Sequence, residues 1–368
     1  MDRVEGFIAT LEDRRMFQES RIKSLDDLLA GANQAHGYPA LAAAVACRDG
    51  LLAAGATGVR KVGNADPVTL DDRFHLGSVT KPMLATVIAT LVEEERIGWD
   101  STLVDILPSV AASIHPALRA IRLEDLLSHR AGIDPFIGHE RFAQLPPFGG
   151  SARDQRLAFA EWLLHQEPFV EPLSRNLYSN AGYTIAAAMT EWVTDQSWEA
   201  VLQDRLFDPL HLVSAGFGWP AENGPNQPWG HRKESQGFVP HVYRVTPFEA
   251  PVGDVHCSIL DLAAFGRMHL RGLAGEYTLL RAETIRKLHT PIGYFGLGWE
   301  IGEQEHQHSG SAGTFNALLL LRPRQDRVYV FATNAASPNP REDLDEQALV
   351  FGLLRNLVTR FESQKCSS

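Results

Sequence analysis

Ser78 and Lys81 stand three residues apart in Gly77-Ser78-Val79-Thr80-Lys81-Pro82, at the head of a strongly apolar helical pattern. That spacing puts a hydroxyl and an amine on one helical face, within side-chain reach. A lysine whose pKa is lowered by burial takes the proton of such a serine and makes it a nucleophile. The helix N-terminus adds positive potential and free N–H groups, which favour an oxyanion beside the serine. The pattern recurs at Ser20-Arg21-Ile22-Lys23, but there charged residues surround it and no apolar helix follows. The chain holds only six lysines, so chance matches are infrequent. A helix-capping serine beside a solvated lysine is the plain alternative.

Two further elements carry chemistry. Leu177-Tyr178-Ser179-Asn180 contains the only Tyr-x-Asn of the chain and directly precedes a helical run. A tyrosine beside a cationic lysine relays protons, and an asparagine amide binds a carbonyl; an aromatic anchor beside an N-cap asparagine is the structural alternative. His308-Ser309-Gly310-Ser311 leads into a late pair of strands. Its small residues admit a substrate backbone, and the Ser311 N–H is placed to be a second oxyanion donor. Other nucleophile patterns fail. A Gly-x-Ser-x-Gly elbow around Ser309 has Gln307 where its first glycine belongs, and His139-Glu140 has Ala143 where a zinc motif needs histidine. His306 with His308, or His256 with Cys257, would be the residues of a zinc site, but no metal and no other cofactor is expected. No phosphate-loop or dinucleotide glycine pattern is present.

The elements that must hold these residues follow from periodicity. Leu84, Val87, Ile88, Leu91 and Val92 mark the helix that starts at Pro82. Residues 25–36, 123–128, 156–165, 181–193, 198–206, 260–270 and 343–359 also read as helices. Residues 40–47 and 51–56 form a hairpin about Asp49-Gly50. Residues 296–301, 317–321 and 328–333 read as strands. The Pro-, Gly- and Trp-rich stretch 216–250 and the segment 135–150 read as walls around a site. Strands at both ends and helices between predict an α/β fold of the α+β type: an antiparallel sheet flanked by N- and C-terminal helices, with an inserted mostly helical domain. The expected division is 25–77 plus 251–362 for the sheet domain, 78–250 for the helical one, and 1–24 as an extension.

In order and context the three elements resemble the serine β-lactamase/penicillin-binding-protein superfamily, in its class C-like branch of esterases, D-aminopeptidases and D,D-carboxypeptidases. The likeness includes Phe74 through Pro82, Leu126-Leu127-Ser128-His129, Gly253 through Phe265 and Phe295-Gly296-Leu297-Gly298-Trp299, and spans about residues 25–360. It implies Ser78 as the nucleophile that forms an acyl-enzyme, Lys81 as its base and Tyr178 as proton shuttle. The N–H groups of Ser78 and Ser311 would form the oxyanion hole beside Gly310, and Asn180 would orient the substrate. His308 takes the place of the lysine in the family's Lys-Thr-Gly element. A histidine with its ordinary pKa of about 6.5 is mostly neutral at pH 7, so the site lacks a fixed charge for an anionic substrate. Ester hydrolysis is therefore expected ahead of β-lactam or D-peptide hydrolysis, with acyl transfer to another acceptor and a non-catalytic binding role as further alternatives. Arg130-Ala131 departs from the family's usual Thr-Ser, and His129 reads as a turn-fixing residue.

Composition narrows the partners. With 34 basic and 45 acidic residues the chain has a net charge of −11, which disfavours a nucleic-acid surface. Cys47, Cys257 and Cys366 are odd in number and far apart, so no disulfide framework is implied. No apolar run reaches a membrane span, and Met1 to Lys23 lacks a secretory apolar core. The expected setting is cytoplasmic, or periplasmic or secreted if a leader was trimmed. The expected partner is a small-molecule ester or amide.

Overall fold

The computed structural model describes residues 23–136, 145–224, 226–337, 352, 357 and 359–361. Alternation builds its main sheet. Strands β2 (Ala40–Cys47) and β3 (Gly50–Gly58) form the early hairpin, and β11 (Asn316–Arg322) and β12 (Arg327–Thr333) the late one. The two hairpins join where β12 pairs antiparallel with β2, placing Val330 opposite Ala44. With β1 (Lys23–Ser24), β9 (Glu300–Ile301) and β10 (His306–Ser311), the order is β1-β3-β2-β12-β11-β10-β9. Odd and even positions then face opposite layers. Leu318, Leu320, Tyr329 and Phe331 pack with Leu25, Leu29, Leu357 and Phe361 on one face. Leu319, Leu321, Val328 and Val330 join Leu262, Phe265 and Met268 on the other.

The first face is covered from the terminal segments, including helix α1 (Asp26–His36), but the second is covered by the helix Ile259–Leu273. Most of the helix expected at 343–359 lies outside the described residues, as do Ser20, 137–144 and Cys366. The strand expected at 296–301 shrinks to Glu300–Ile301, because the Gly296 N–H donates to the Trp299 carbonyl (2.8 Å) and closes a turn. The 216–250 stretch is partly regular: β5 (Gly216–Phe217) pairs with β8 (Val255–Ser258), and β6 (His231–Glu234) with β7 (Gly237–Pro240). The helix expected over 198–206 ends at Leu202 and continues as a wider turn over Gln203–Phe207.

Helix α2 (Thr80–Glu93) carries the site at its head. The apolar stripe predicts one wet face, yet eleven of its fourteen residues are buried, so it runs through the core. Strand β4 (Arg73–His75) aims it. The Leu76 N–H donates to the Val255 carbonyl (2.8 Å), the Gly77 N–H to His75 Nδ1 (3.2 Å), and the Val255 N–H to Thr80 Oγ1 (3.1 Å). Behind α2 runs a buried relay: Thr86 Oγ1 lies 3.0 Å from His269 Nε2, His269 Nδ1 3.0 Å from His289 Nε2, and His289 Nδ1 3.0 Å from His306 Nδ1. Helices α3 (Ala152–Leu164) and α4 (Asn180–Thr194) complete the helical side. Arg156 joins them through Glu191 (2.6 Å) and also donates to the Pro247 carbonyl (2.8 Å). Among the described residues no helix is long and apolar enough to cross a membrane.

Candidate active site

A tight turn at Gly77–Val79 precedes α2 and presents Ser78 half-exposed. One turn on, Lys81 is fully buried, with Nζ 2.9 Å from Ser78 Oγ and donating to the Val252 carbonyl (2.9 Å). Burial holds the Lys81 amine well below the usual lysine range, and the nearby Glu249 carboxylate opposes this only in part. An amine shifted down in this way, held against a serine hydroxyl, can act as a base toward it. Val252 sits in the short helix Ala250–Gly253, whose approach is held by the Phe248 carbonyl, which accepts from Thr184 Oγ1 (3.0 Å).

Tyr178 closes the other side. Lys81 Nζ lies 5.0 Å from the Tyr178 ring centroid and 5.8 Å from that of Tyr183. Burial pushes the Tyr178 hydroxyl above its ordinary range, against the effect of its hydrogen bond to Ser78, with Glu300 pushing the same way as burial. It is therefore a phenol, not a phenolate, at neutral pH.

Strand β10 supplies the far wall. Gly310 leaves no room for a side chain: a Cβ there would fall 2.0 Å from the Leu76 carbonyl oxygen and 2.6 Å from the Ser78 nitrogen. Gly77, at φ +51°, meets the Ser311 backbone in the same way, with a Cβ 2.7 Å from the Ser311 nitrogen. These two close approaches bring the Ser78 and Ser311 backbones together. His308 is 5% exposed, and its Nδ1 donates to the Ser309 carbonyl (2.7 Å), which leaves Nε2 as an acceptor with no partner among the described residues. Burial and then Lys81 push this imidazole down to about 3, so it carries no charge at neutral pH.

Asn180 begins α4, but its Nδ2 is committed to the Phe136 carbonyl (3.2 Å), while its buried Oδ1 has no partner among the described residues. Two cavities lie nearby, neither of them lined by Ser78, Lys81, Tyr178 or His308. One of about 310 Å³ is lined by Tyr294, Phe295, Glu300 and Glu305. The other, about 650 Å³, lies beside Phe136 and is lined by Trp162 and Phe169. Sequence reasoning missed the Val252 carbonyl, Tyr183, Phe295 and Glu249. A backbone acceptor 171 residues from Lys81 leaves no side-chain signal, whereas Tyr183 is visible as a second aromatic one helical turn beyond Asn180. His306 joins the histidine relay, and His256 Nδ1 donates to the Gly218 carbonyl (2.8 Å).

The family model for β-lactamase matches residues 25–353. The chain belongs to the β-lactamase family. Its members here are penicillin-binding-protein-like serine hydrolases, and the mixed sheet and helices above are the β-lactamase/transpeptidase-like fold. Penicillin-binding protein 4 of Amycolatopsis lactamdurans is 29% identical over 81% of this chain and 81% of its own length. The octameric penicillin-binding protein homologue from Pyrococcus abyssi has a TM-score of 0.70 at 21% identity, covering 89% of this chain and 76% of that one. A D-stereospecific amidohydrolase from Streptomyces reaches a TM-score of 0.63 at 22% identity, covering 83% and 94%. Within this β-lactamase-family fold, the serine and lysine of the first element lie at the seam between the sheet edge and the helical region.

Proposed function

We propose that this protein hydrolyses carboxylic esters through an acyl-enzyme on Ser78. The observation that carries the reading is the 2.9 Å contact between Ser78 Oγ and a fully buried Lys81 amine. Neutral Lys81 takes the Ser78 proton as Oγ attacks the ester carbonyl carbon. The oxyanion forms between the Ser78 and Ser311 N–H groups. Tyr178, as a phenol, passes the proton from Lys81 to the leaving alkoxide when the C–O bond breaks. Water then attacks the acyl carbon as Lys81 and Tyr178 take its proton, the bond from the acyl carbon to Ser78 Oγ breaks, the same pair returns the proton to Oγ, and the acid leaves.

Two features support uncharged esters. His308 offers a neutral acceptor where a cation would hold a carboxylate, and the cavity beside Phe295 carries Glu300 and Glu305. Amide hydrolysis of D-amino-acid substrates is the second reading, favoured by the likeness to the D-stereospecific amidohydrolase. A fluorophosphonate probe should label Ser78 and leave Ser78→Ala unlabelled. A p-nitrophenyl short-chain ester should turn over faster than a D-amino-acid amide or a chromogenic cephalosporin. Absence of labelling overturns the enzyme reading, and a faster amide transfers the conclusion to the second one.

The charge argument has its own check. His308→Lys restores a fixed cation, and a charge-assisted contact of about 1.4 kcal/mol is about ten-fold in selectivity. The kcat/KM ratio for a carboxylate-bearing over a neutral ester should rise by about that factor. An unchanged ratio removes His308 from the account of specificity.

A further inference from the structure

His129 does more than fix a turn. It is 2% exposed and sits at φ +60°, a left-handed backbone region uncommon for residues other than glycine, in which asparagine, aspartate and histidine are enriched. It holds the segment around Tyr178 at three points. Its carbonyl accepts from the Leu177 N–H (2.7 Å), and its Nδ1 accepts from the Ser179 N–H (3.0 Å). Its ring lies against the Tyr178 ring with centroids 4.5 Å apart and planes at 35°. Thus the residues before and after Tyr178 and the phenol itself all rest on one imidazole-bearing residue. Phe295 backs that imidazole edge-on at 4.7 Å, and Tyr183 flanks it at 5.2 Å.

The protonation state follows from the contacts. Since Nδ1 accepts, the proton sits on Nε2, and the ring must be neutral to keep the bond from Ser179. Burial first, then repulsion from Lys81 and His308 whenever they are protonated, holds this imidazole well below its ordinary range. The groups facing it are Lys81 from α2, His308 from β10 and Tyr178 and Tyr183 from the α4 side. A protonated His129 would lose the Nδ1 acceptor and release the Ser179 end of the segment.

We propose that His129 is a positioning residue for the reaction, fixing the Tyr178 hydroxyl over Ser78 by gripping the backbone on both sides of it and stacking on its ring. This inference rests on the reading of Tyr178 as the proton shuttle. Its test is a double-mutant cycle with the p-nitrophenyl ester. Tyr178→Phe alone should lower kcat about 100-fold, within the usual range for an acid–base group. His129→Asn tolerates the positive φ but removes the ring, and His129→Phe keeps a ring but removes the acceptor. Each should lower kcat by about ten-fold or more with KM within about two-fold, and should add nothing in the Tyr178→Phe background.

The outcomes separate. If Tyr178→Phe leaves kcat intact, the shuttle reading falls. If Tyr178→Phe is impaired but the His129 variants multiply its loss in full, His129 acts on something else and the proposal falls. Melting curves accompany each variant. If His129→Asn does not fold, His129→Phe carries the same cycle. A loss of folded protein in both variants with kcat per folded molecule unchanged makes His129 structural only, which also overturns the proposal.

Discussion

Lys81→Met should lower kcat/KM for an activated ester by about 10²–10⁴-fold, the range expected when a serine loses the base proposed for it. Methionine matches the lysine stem in length and volume, so packing around α2 survives. The change leaves the Val252 carbonyl without its 2.9 Å donor, which costs about 1–3 kcal/mol, and removes the penalty of a buried amine. The melting temperature should therefore stay within a few degrees while activity collapses. The pH dependence has a definite sign. Burial holds the Lys81 amine well below the usual lysine range, so the neutral base exists at pH values where an exposed lysine is charged. Lowering pH protonates it, and wild-type kcat/KM should fall on the acid side along a limb far below 10.5. The residual rate of Lys81→Met should lack that limb. Retention of more than about a tenth of wild-type activity would show that another group takes the serine proton, since one lost base accounts for at least 10².

Acid should unfold this protein early, and the cause is histidine. His129, His269, His289 and His308 are buried, and burial pushes each down, to about 3 for His269 and His308; His256 goes to about 4. In the unfolded chain they titrate near 6.5. Above that pH both states are neutral at these rings, and folding is unaffected. Below it the unfolded state binds protons that the folded state refuses, so stability falls as pH falls. Each ring that stays neutral contributes up to about 1.4 kcal/mol per pH unit in this window, so His256, His269 and His308 together remove up to about 6 kcal/mol by pH 5, and His129 and His289 act in the same direction. That rivals the whole stability of a typical domain. Asp125 and Glu249, pushed up by burial, act in the opposite sense and soften the slope. Denaturant melts between pH 5 and 8 should show the unfolding free energy falling with an uptake of about three to five protons, steepest below pH 6.5. Uptake of fewer than about one proton on unfolding would mean that these rings are not held neutral.

The groups proposed to react stood out because their pattern is local. Ser78 and Lys81 meet within one helical turn, and Tyr178 marks its segment by a short motif before α4. Strands β11 and β12 were readable because leucine, valine and aromatic side chains alternate or run together there. Strand β10 was not, since His306-Gln307-His308-Ser309-Gly310-Ser311 has neither strand propensity nor an apolar face. What draws it into the sheet is pairing with β11 from His306 to Ser311, a tertiary effect. The histidine relay was equally hidden: His269, His289 and His306 come from separate elements, and none has a distinctive neighbourhood. The helix Ile259–Leu273 was readable as a helix but not as the cover of the second sheet face. Periodicity identifies an apolar stripe without naming the surface that receives it.

The strand order has a consequence for how the chain reaches its working form. Ser78 and Ser311 are kept together by Gly310, yet the strand bearing Ser311 is tied to the N-terminal half through β11, β12 and β2. The pairing of β12 with β2 joins Val328 to Ala46, segments at opposite ends of the described chain. Contacts of such sequence separation are slow to form, because loop closure is opposed by entropy before any pairing rewards it. During synthesis the helical middle emerges long before its partner strands. Helical content can thus return on refolding without the proposed oxyanion hole, and recovery of the proposed activity would mark closure of the sheet rather than collapse of the chain.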